Sequence, residues 1–254
     1  MNEIGTPVIT RVAAILRAVG RERGGVTTTA VARATDIPRA TAHRMLTALA
    51  EQGLIDREAD NGLWFLGPEI YLLGSVSTSR YDAAPVADDL LRALADDTGE
   101  SAFLSARRGW ETVCVSAIEG SFPLRSHVLY PGSRFPLGIA SAGLVVLAHL
   151  PDGEIQEYLR RAALEKEWGA AHSRAAIEER LGRTRIDGYS LNPGLLVEGS
   201  WGIGAAVFDA LGRPQWALSL TGVQARMAGD RTAQLGETLL RTAHELTLRL
   251  KRGA

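Results

Sequence analysis

The sequence is poor in the residues that most enzymes and secreted proteins need. It has a single cysteine, Cys114, in 254 residues, which excludes a disulfide framework within the chain and fits a reducing compartment. His43, His127, His149, His172 and His244 are scattered, with no pair at helical or strand spacing to hold a metal. A phosphate loop ending in Gly-Lys-Ser/Thr is missing, and "GSWGIG" is an incomplete dinucleotide fingerprint. "GIASAG" lacks the glycine that a nucleophile elbow needs two residues before its serine, because Ile139 stands there. The longest uncharged run, Phe135 to Pro151, is broken by glycines and falls short of the about 20 residues of a bilayer span. The opening "MNEIGTPVIT" has no basic region leading into an apolar stretch, so no secretory signal is expected. A hydrophobic content of 46% can bury a sizeable core in one large domain or two ordinary ones. The expectation is a cytoplasmic protein without metal, cofactor or membrane partner.

Net charge is almost absent too, at −1, but it is unevenly spread. From Val8 to Ala50, Arg11, Arg17, Arg21, Arg23, Arg33, Arg39 and Arg44 stand against Glu22 and Asp36, a balance of +5. From Glu51 to Glu69 five acids stand against Arg57. A compact basic segment in a neutral chain is the footprint of a nucleic-acid contact.

Periodicity gives that segment a shape. Val12, Ile15, Leu16 and Val19 mark a first helix that "RERGG" stops. The threonines of "TTTAVARATD" offer an N-cap for a second, with Ala30, Val31 and Ala34 inward. After a turn at Asp36-Ile37, Pro38 lies at or beside the start of a third helix whose buried stripe is Met45, Leu46 and Leu49 and whose stop is Gly53. Helices two and three, joined by a tight turn, make a helix-turn-helix, in which the front of the last helix enters the major groove. Arg39, Thr41, His43 and Arg44 can reach phosphates or base edges there, with Thr28 at the front of the second helix, while Ala40 and Ala42 permit close approach. "LIDREADNGLWFLG" reads as two strands about an Asp-Asn-Gly turn, a wing from which Arg57 can follow the DNA backbone. A protein-interaction module of the same shape is the bland alternative. It does not require the basic bias.

Four segments in register resemble the IclR-type bacterial transcriptional regulators. "IPRATAHRMLTALAEQGLIDREADNGLWFLGPEIYLLG" is similar to the family's helix-turn-helix, wing and linker, and "LADDTGESAFLSARRG" to the start of its effector domain. "FPLGIASAGLVVLAHLP" resembles its pocket loop and helix, and "IDGYSLNPGLLVEGSWGIGAAVFDALGRPQWALSLTG" its final sheet. The resemblance implies an α+β chain: a winged helix-turn-helix at 1–66, a linker helix at 67–80 and a GAF-like effector-binding domain at 81–254. It also implies double-stranded operator DNA and a small organic acid as partners, in a homodimer or dimer of dimers. The amphipathic linker, with Ile70, Leu73 and Val76, is the expected dimer seam.

The second half also reads from its own pattern. Val86, Leu90 and Leu94 mark a helix ending at Gly99; "SAFLSARRGWETVCVSAI" is two strands about Arg108-Gly109, and "LRSHVLY" a third. A helix covers Ile139 to Leu150, and another carries Ile177, Leu181 and Ile186 to a stop at Gly188. Two strands follow, then a terminal helix from about Asp230. The last strands divide by period two. Trp201, Ile203, Ala205 and Val207 with Trp216, Leu218 and Leu220 make a bulky face; Ser200, Gly202, Gly204 and Ala206 with Ala217, Ser219 and Thr221 make a small one. The small face suits either a pocket floor or a closely packed helix. The free N–H groups opening the helix after "GIASAG" would attract an anion. By motif, the resemblance places effector contacts at Ser141 and Ala142, Asn192, Gly202, and Ser219 with Thr221; Ser200 shares their face. Asn192 replaces the family's acid, Gly202 its cysteine and Ala206 its proline, so effector identity does not transfer. Gly202 is expected to leave room for an acid of more than two or three carbons with an apolar or aromatic body. A hydrolase or other small-molecule enzyme with an accessory helical domain is the alternative from another class.

Overall fold

The computed structural model describes residues 7–77, 83–124 and 128–252, in two compact units, Met1–Tyr81 and Asp82–Ala254. In the first unit, α1 (Pro7–Arg21), α2 (Thr28–Thr35) and α3 (Arg39–Glu51) pack around Ile15, Val19, Val31, Leu46 and Leu49. The Thr27 hydroxyl caps α2, accepting from the Ala30 N–H at 3.2 Å. Asp36, the C-cap, takes the left-handed conformation at φ 53°, and the chain re-enters helix after Pro38, whose carbonyl accepts from the N–H groups of Thr41 and Ala42. The wing is an antiparallel pair, β1 (Ile55–Arg57) and β2 (Trp64–Leu66), closed by a turn in which Gly62 sits at φ 69°. Helix α4 (Pro68–Ser77) follows; residues 78–80 of the expected linker lie outside the described residues.

Three expectations for this unit are corrected. Ala34 is exposed, because the short α2 turns only Val31 fully inward. Ala42 is completely buried beside Leu46 and Leu49, so it packs the core and opens no approach to DNA. Positions 42, 46 and 49 are the one helical face that meets α1 and α2. Met45, expected in that stripe, is only half-buried.

The second unit begins with α5 (Ala83–Thr98), β3 (Ser101–Arg108), β4 (Glu111–Ile118) and β5 (Arg134–Pro136). Then come α6 (Ser141–Ala148), α7 (Asp152–Arg161), α8 (Leu164–Trp168) and α9 (Arg174–Asp187), with a 3-10 turn at Ala170–His172. β6 (Tyr189–Pro193), β7 (Ser200–Phe208), β8 (Pro214–Val223), α10 (Gln224–Met227) and α11 (Asp230–Arg252) complete it. The strands form one antiparallel sheet in the order β5-β4-β3-β8-β7-β6. Its bulky face, with Ile203, Val207, Leu218 and Leu220, packs on Leu91 and Leu94 of α5 and on Leu239 and Leu246 of α11. Its other face meets α6, α7 and α9 through Ala206 and Ala217. Every residue of α6 is buried, as an all-round apolar helix must be.

Helix α5 buries Ala83, Ala87, Leu91 and Leu94, leaving Val86 and Leu90 half-buried. Residues 125–127 of the expected strand "LRSHVLY" lie outside the described residues, 124 and 128–130 carry no strand, and the sheet edge is β5 instead. Ile186 is 85% exposed, because it lies off the Ile177–Leu181 face of α9. Three strands, not two, follow Gly188, and Asn192 lies within the edge strand β6.

Candidate functional site

Each unit carries a candidate site. On α3, Arg39, Ala40, His43, Arg44 and Thr47 form the exposed face opposite Ala42, Leu46 and Leu49, and Thr41 is half-buried at its margin. Among the described residues, no arginine of residues 7–77 makes an ion pair or a side-chain hydrogen bond. Arg39 and Arg44 therefore present all their N–H donors outward, in the fork geometry that matches phosphate or a guanine edge. The exposed Arg57 guanidinium lies over the Trp64 ring, 5.4 Å from its centroid. The Thr28 hydroxyl, at the first residue of α2, accepts from the Trp64 indole N–H at 2.9 Å. Trp64 is legible in the sequence only as a wing residue; its place in the apolar run Leu63 to Leu66 is the only signal.

In the second unit a cavity enclosing about 390 Å³, part of it open to solvent, lies over the small face of the sheet. Ser200, Gly202, Ser219 and Thr221 line its floor, Ala140, Ser141 and Ala142 its helical end, and Asn192 one side. Every expected effector residue thus borders one space. Strand register explains why. Thr221 pairs with Gly202 and Ser219 with Gly204, so no side chain of β7 covers either hydroxyl. Ser219 Oγ and Thr221 Oγ1 are buried and without a hydrogen-bond partner among the described residues. An unpaired buried hydroxyl costs about 1–3 kcal/mol, so two side by side in a cavity are poised for a polar ligand. Above them α6 opens with no side-chain cap at Ala140, which leaves its first N–H groups for an anion.

Helix and pocket share the small face. Gly204 lets the α6 N-terminus sit on the sheet: a Cβ there would come within 2.8 Å of the Ser141 carbonyl. Ser190 fixes the same carbonyl by a 2.7 Å hydrogen bond. The space above Gly202 holds the Ser141 hydroxyl, 3.0 Å from where a Cβ would stand. Room for an apolar body therefore comes from Val128, Leu129, Phe135, Leu196 and Trp201, which the sequence reading did not single out. Asn192 is bound structurally: its Nδ2 donates to the Ile139 carbonyl at 2.9 Å, and its Oδ1 accepts from the Leu195 N–H at 3.0 Å. Among the described residues, no Asp, Glu, Lys or Arg lines the cavity. Elsewhere, burial pushes the Cys114 thiol up to about 12, which keeps it protonated and unreactive.

Residues 8–59 match the IclR helix-turn-helix domain, and residues 76–248 the bacterial transcriptional regulator IclR C-terminal domain. The transcriptional repressor IclR of Escherichia coli is 26% identical over 243 residues, covering 94% of this chain and 88% of that protein. The HTH-type transcriptional regulator BhcR of Paracoccus denitrificans is 30% identical over 224 residues, covering 88% and 80%. An IclR homologue of Microbacterium hydrocarbonoxydans, solved in complex with 4-hydroxybenzoate, shares the fold at a TM-score of 0.77 and 22% identity, over 97% of this chain and 99% of that one. With both domain matches in order along one chain, this protein belongs to the IclR family of DNA-binding transcriptional regulators.

Proposed function

We propose that the chain binds double-stranded operator DNA through Arg39, Thr41, His43 and Arg44 of α3, with Thr28 and Arg57 on the flanking backbone. A small organic acid with an apolar or aromatic body, bound at Ser141, Ala142, Ser219 and Thr221, modulates that binding. Residues 1–66 serve as the DNA-binding domain, 67–80 as the linker and 81–254 as the effector-binding domain. The regulator acts in the cytoplasm, as a homodimer or dimer of dimers. The observation that carries the effector reading is the pair of buried hydroxyls, Ser219 and Thr221, that have no partner among the described residues, beside a helix N-terminus without a side-chain cap. A carboxylate is an acceptor for such donors, and the aliphatic and aromatic walls suit a neutral body. A protein of the same fold holds 4-hydroxybenzoate, a ligand of that chemistry.

Thermal-shift screening of the full chain against aliphatic and aromatic monocarboxylates tests the effector. A ligand that binds only the folded state raises the melting temperature, and Ser219→Ala with Thr221→Val should abolish the shift. The DNA reading is tested by replacing Arg39 and Arg44 with alanine, which should weaken binding to a duplex enriched from a random-sequence pool by at least about 2 kcal/mol. Unchanged affinity in the folded double variant would remove α3 from the interface. Turnover of an ester or amide by the purified chain would revive the enzymatic alternative.

A further inference from the structure

Trp64 is only 2% exposed, yet its indole meets three residues of the proposed DNA-binding face. Its backbone N–H and C=O pair with Val26 at 2.9 and 3.0 Å, and its register partner across the wing is Arg57. The indole is thereby fixed between helix and wing. Its Nε1–H donates to Thr28 Oγ1 at 2.9 Å, its ring lies under the Arg57 guanidinium, and its edge meets the His43 ring in a T-shaped contact, with centroids 6.3 Å apart. Phenylalanine would keep an aromatic ring there and lack the N–H; leucine would lack the ring as well.

A threonine hydroxyl has one proton and two lone pairs. In Thr28 a lone pair is taken by the indole, and the proton has no acceptor among the described residues. Thr28 is half-buried at the first position of α2, where helix N–H groups already favour a phosphate oxygen. We infer that Trp64 is a positioning residue of the DNA-binding face: without touching DNA, it turns the Thr28 O–H toward a backbone phosphate and holds Arg57 over its ring. This rests on the DNA-binding reading above.

The test uses the full chain, a duplex that the wild type has enriched from a random-sequence pool, and an unrelated duplex of equal length. Trp64→Phe keeps the ring and removes the N–H; Thr28→Val removes the hydroxyl. Thr28→Val should raise Kd for the enriched duplex about tenfold, as expected for losing a hydrogen bond to a charged group, and Trp64→Phe should raise it by less, because the hydroxyl stays but is no longer turned. The double variant should bind no more weakly than Thr28→Val alone, since without the hydroxyl the indole has nothing to orient. Thr28→Ser should restore wild-type binding. The slope of log affinity against log salt should stay constant in these variants, because a hydroxyl releases no counterion. It should become shallower by about 0.9 in Trp64→Leu, where Arg57 loses its support. A purely structural role would lower the melting temperature and leave both the slope and the coupling untouched. Wild-type affinity in Thr28→Val, multiplying effects in the double variant, or an unchanged slope in Trp64→Leu overturns the inference. Where Trp64→Phe does not fold, wild-type affinity in Thr28→Val still overturns the inference, and the salt slope of Trp64→Leu still tests the role of the ring. A wild type that enriches no duplex overturns the DNA-binding reading and this inference with it.

Discussion

Gly202 and Gly204 stand two residues apart on one face of β7, yet a methyl group on each meets different matter. At Gly204 it would press within 2.8 Å of the Ser141 backbone and 2.9 Å of the Ser190 hydroxyl; at Gly202 it meets chiefly the Ser141 hydroxyl at 3.0 Å. Backbone cannot yield, whereas a serine side chain can rotate. Gly204→Ala should therefore destabilise the chain by about 1–3 kcal/mol in urea unfolding, and Gly202→Ala by less than about 1. Gly202→Ala should nonetheless weaken carboxylate binding, because it displaces the serine at the helix end. Equal losses of stability would refute this packing. His172 supports a second residue-scale prediction. Burial holds its imidazole below the ordinary value of 6.5, with Arg180 adding repulsion, while its Nδ1 meets the Trp168 carbonyl at 3.0 Å. Below pH 6.5 the unfolded chain binds this proton and the folded one does not, so stability falls on acidification through that range. The lowered carboxylates Asp89, Glu178 and Asp209 lose their contribution only at more acidic pH, below the ordinary carboxylate values of 3.8 and 4.5. His172→Gln should flatten the fall in melting temperature between about pH 7 and pH 5. An unchanged profile would assign the acid sensitivity to another group.

Among the elements, α4 presents an unusual surface. Tyr71, Leu72, Leu73 and Val76 are all more than half exposed, whereas Ile70, part of the expected seam, is half-buried. Four large apolar side chains on ten residues of helix are poorly suited to water. Within the proposed homodimer this helix is the expected seam. Replacing Leu73 and Val76 with aspartate should shift the chain toward monomer in sedimentation at micromolar concentration, since each buried pair would then desolvate two charges. A dimer of wild-type strength in that variant would move the seam elsewhere. Helix α6 is the opposite case: all its residues are buried, and its N-terminus is pinned by Ser190 against Gly204. Its position sets the pocket.

At the scale of the molecule, a net charge of −1 conceals a division of labour. Each ion pair described belongs to residues 82–254, where Arg92, Arg134, Arg174, Arg185, Arg226 and Arg249 each face a carboxylate. The arginines of residues 7–77 face none among the described residues, which leaves their charge available to phosphates. Binding should therefore weaken steeply with salt. A dimer should protect two half-sites whose centres lie about 34 Å apart or a multiple of it. Full affinity for a single half-site would contradict the dimeric reading.

The helix-turn-helix, the wing and the period-two faces of β7 and β8 were legible in the sequence because each rests on local rules: helical spacing, glycine stops and strand alternation. The order of four family-like segments carried the rest of the fold. Which side of a short helix faces inward was not local, and so Ala34, Ala42 and Ile186 were misplaced; only the neighbours packed against α2, α3 and α9 decide it. The same holds for the sites. Residue types announced arginines at the front of α3 and hydroxyls on β8. Tertiary structure alone left those arginines without partners among the described residues, placed Gly202 and Gly204 opposite Thr221 and Ser219, and filled the space above Gly202 with Ser141. Pairing and vacancy depend on what distant segments bring to the same place, and no spacing along the chain encodes that.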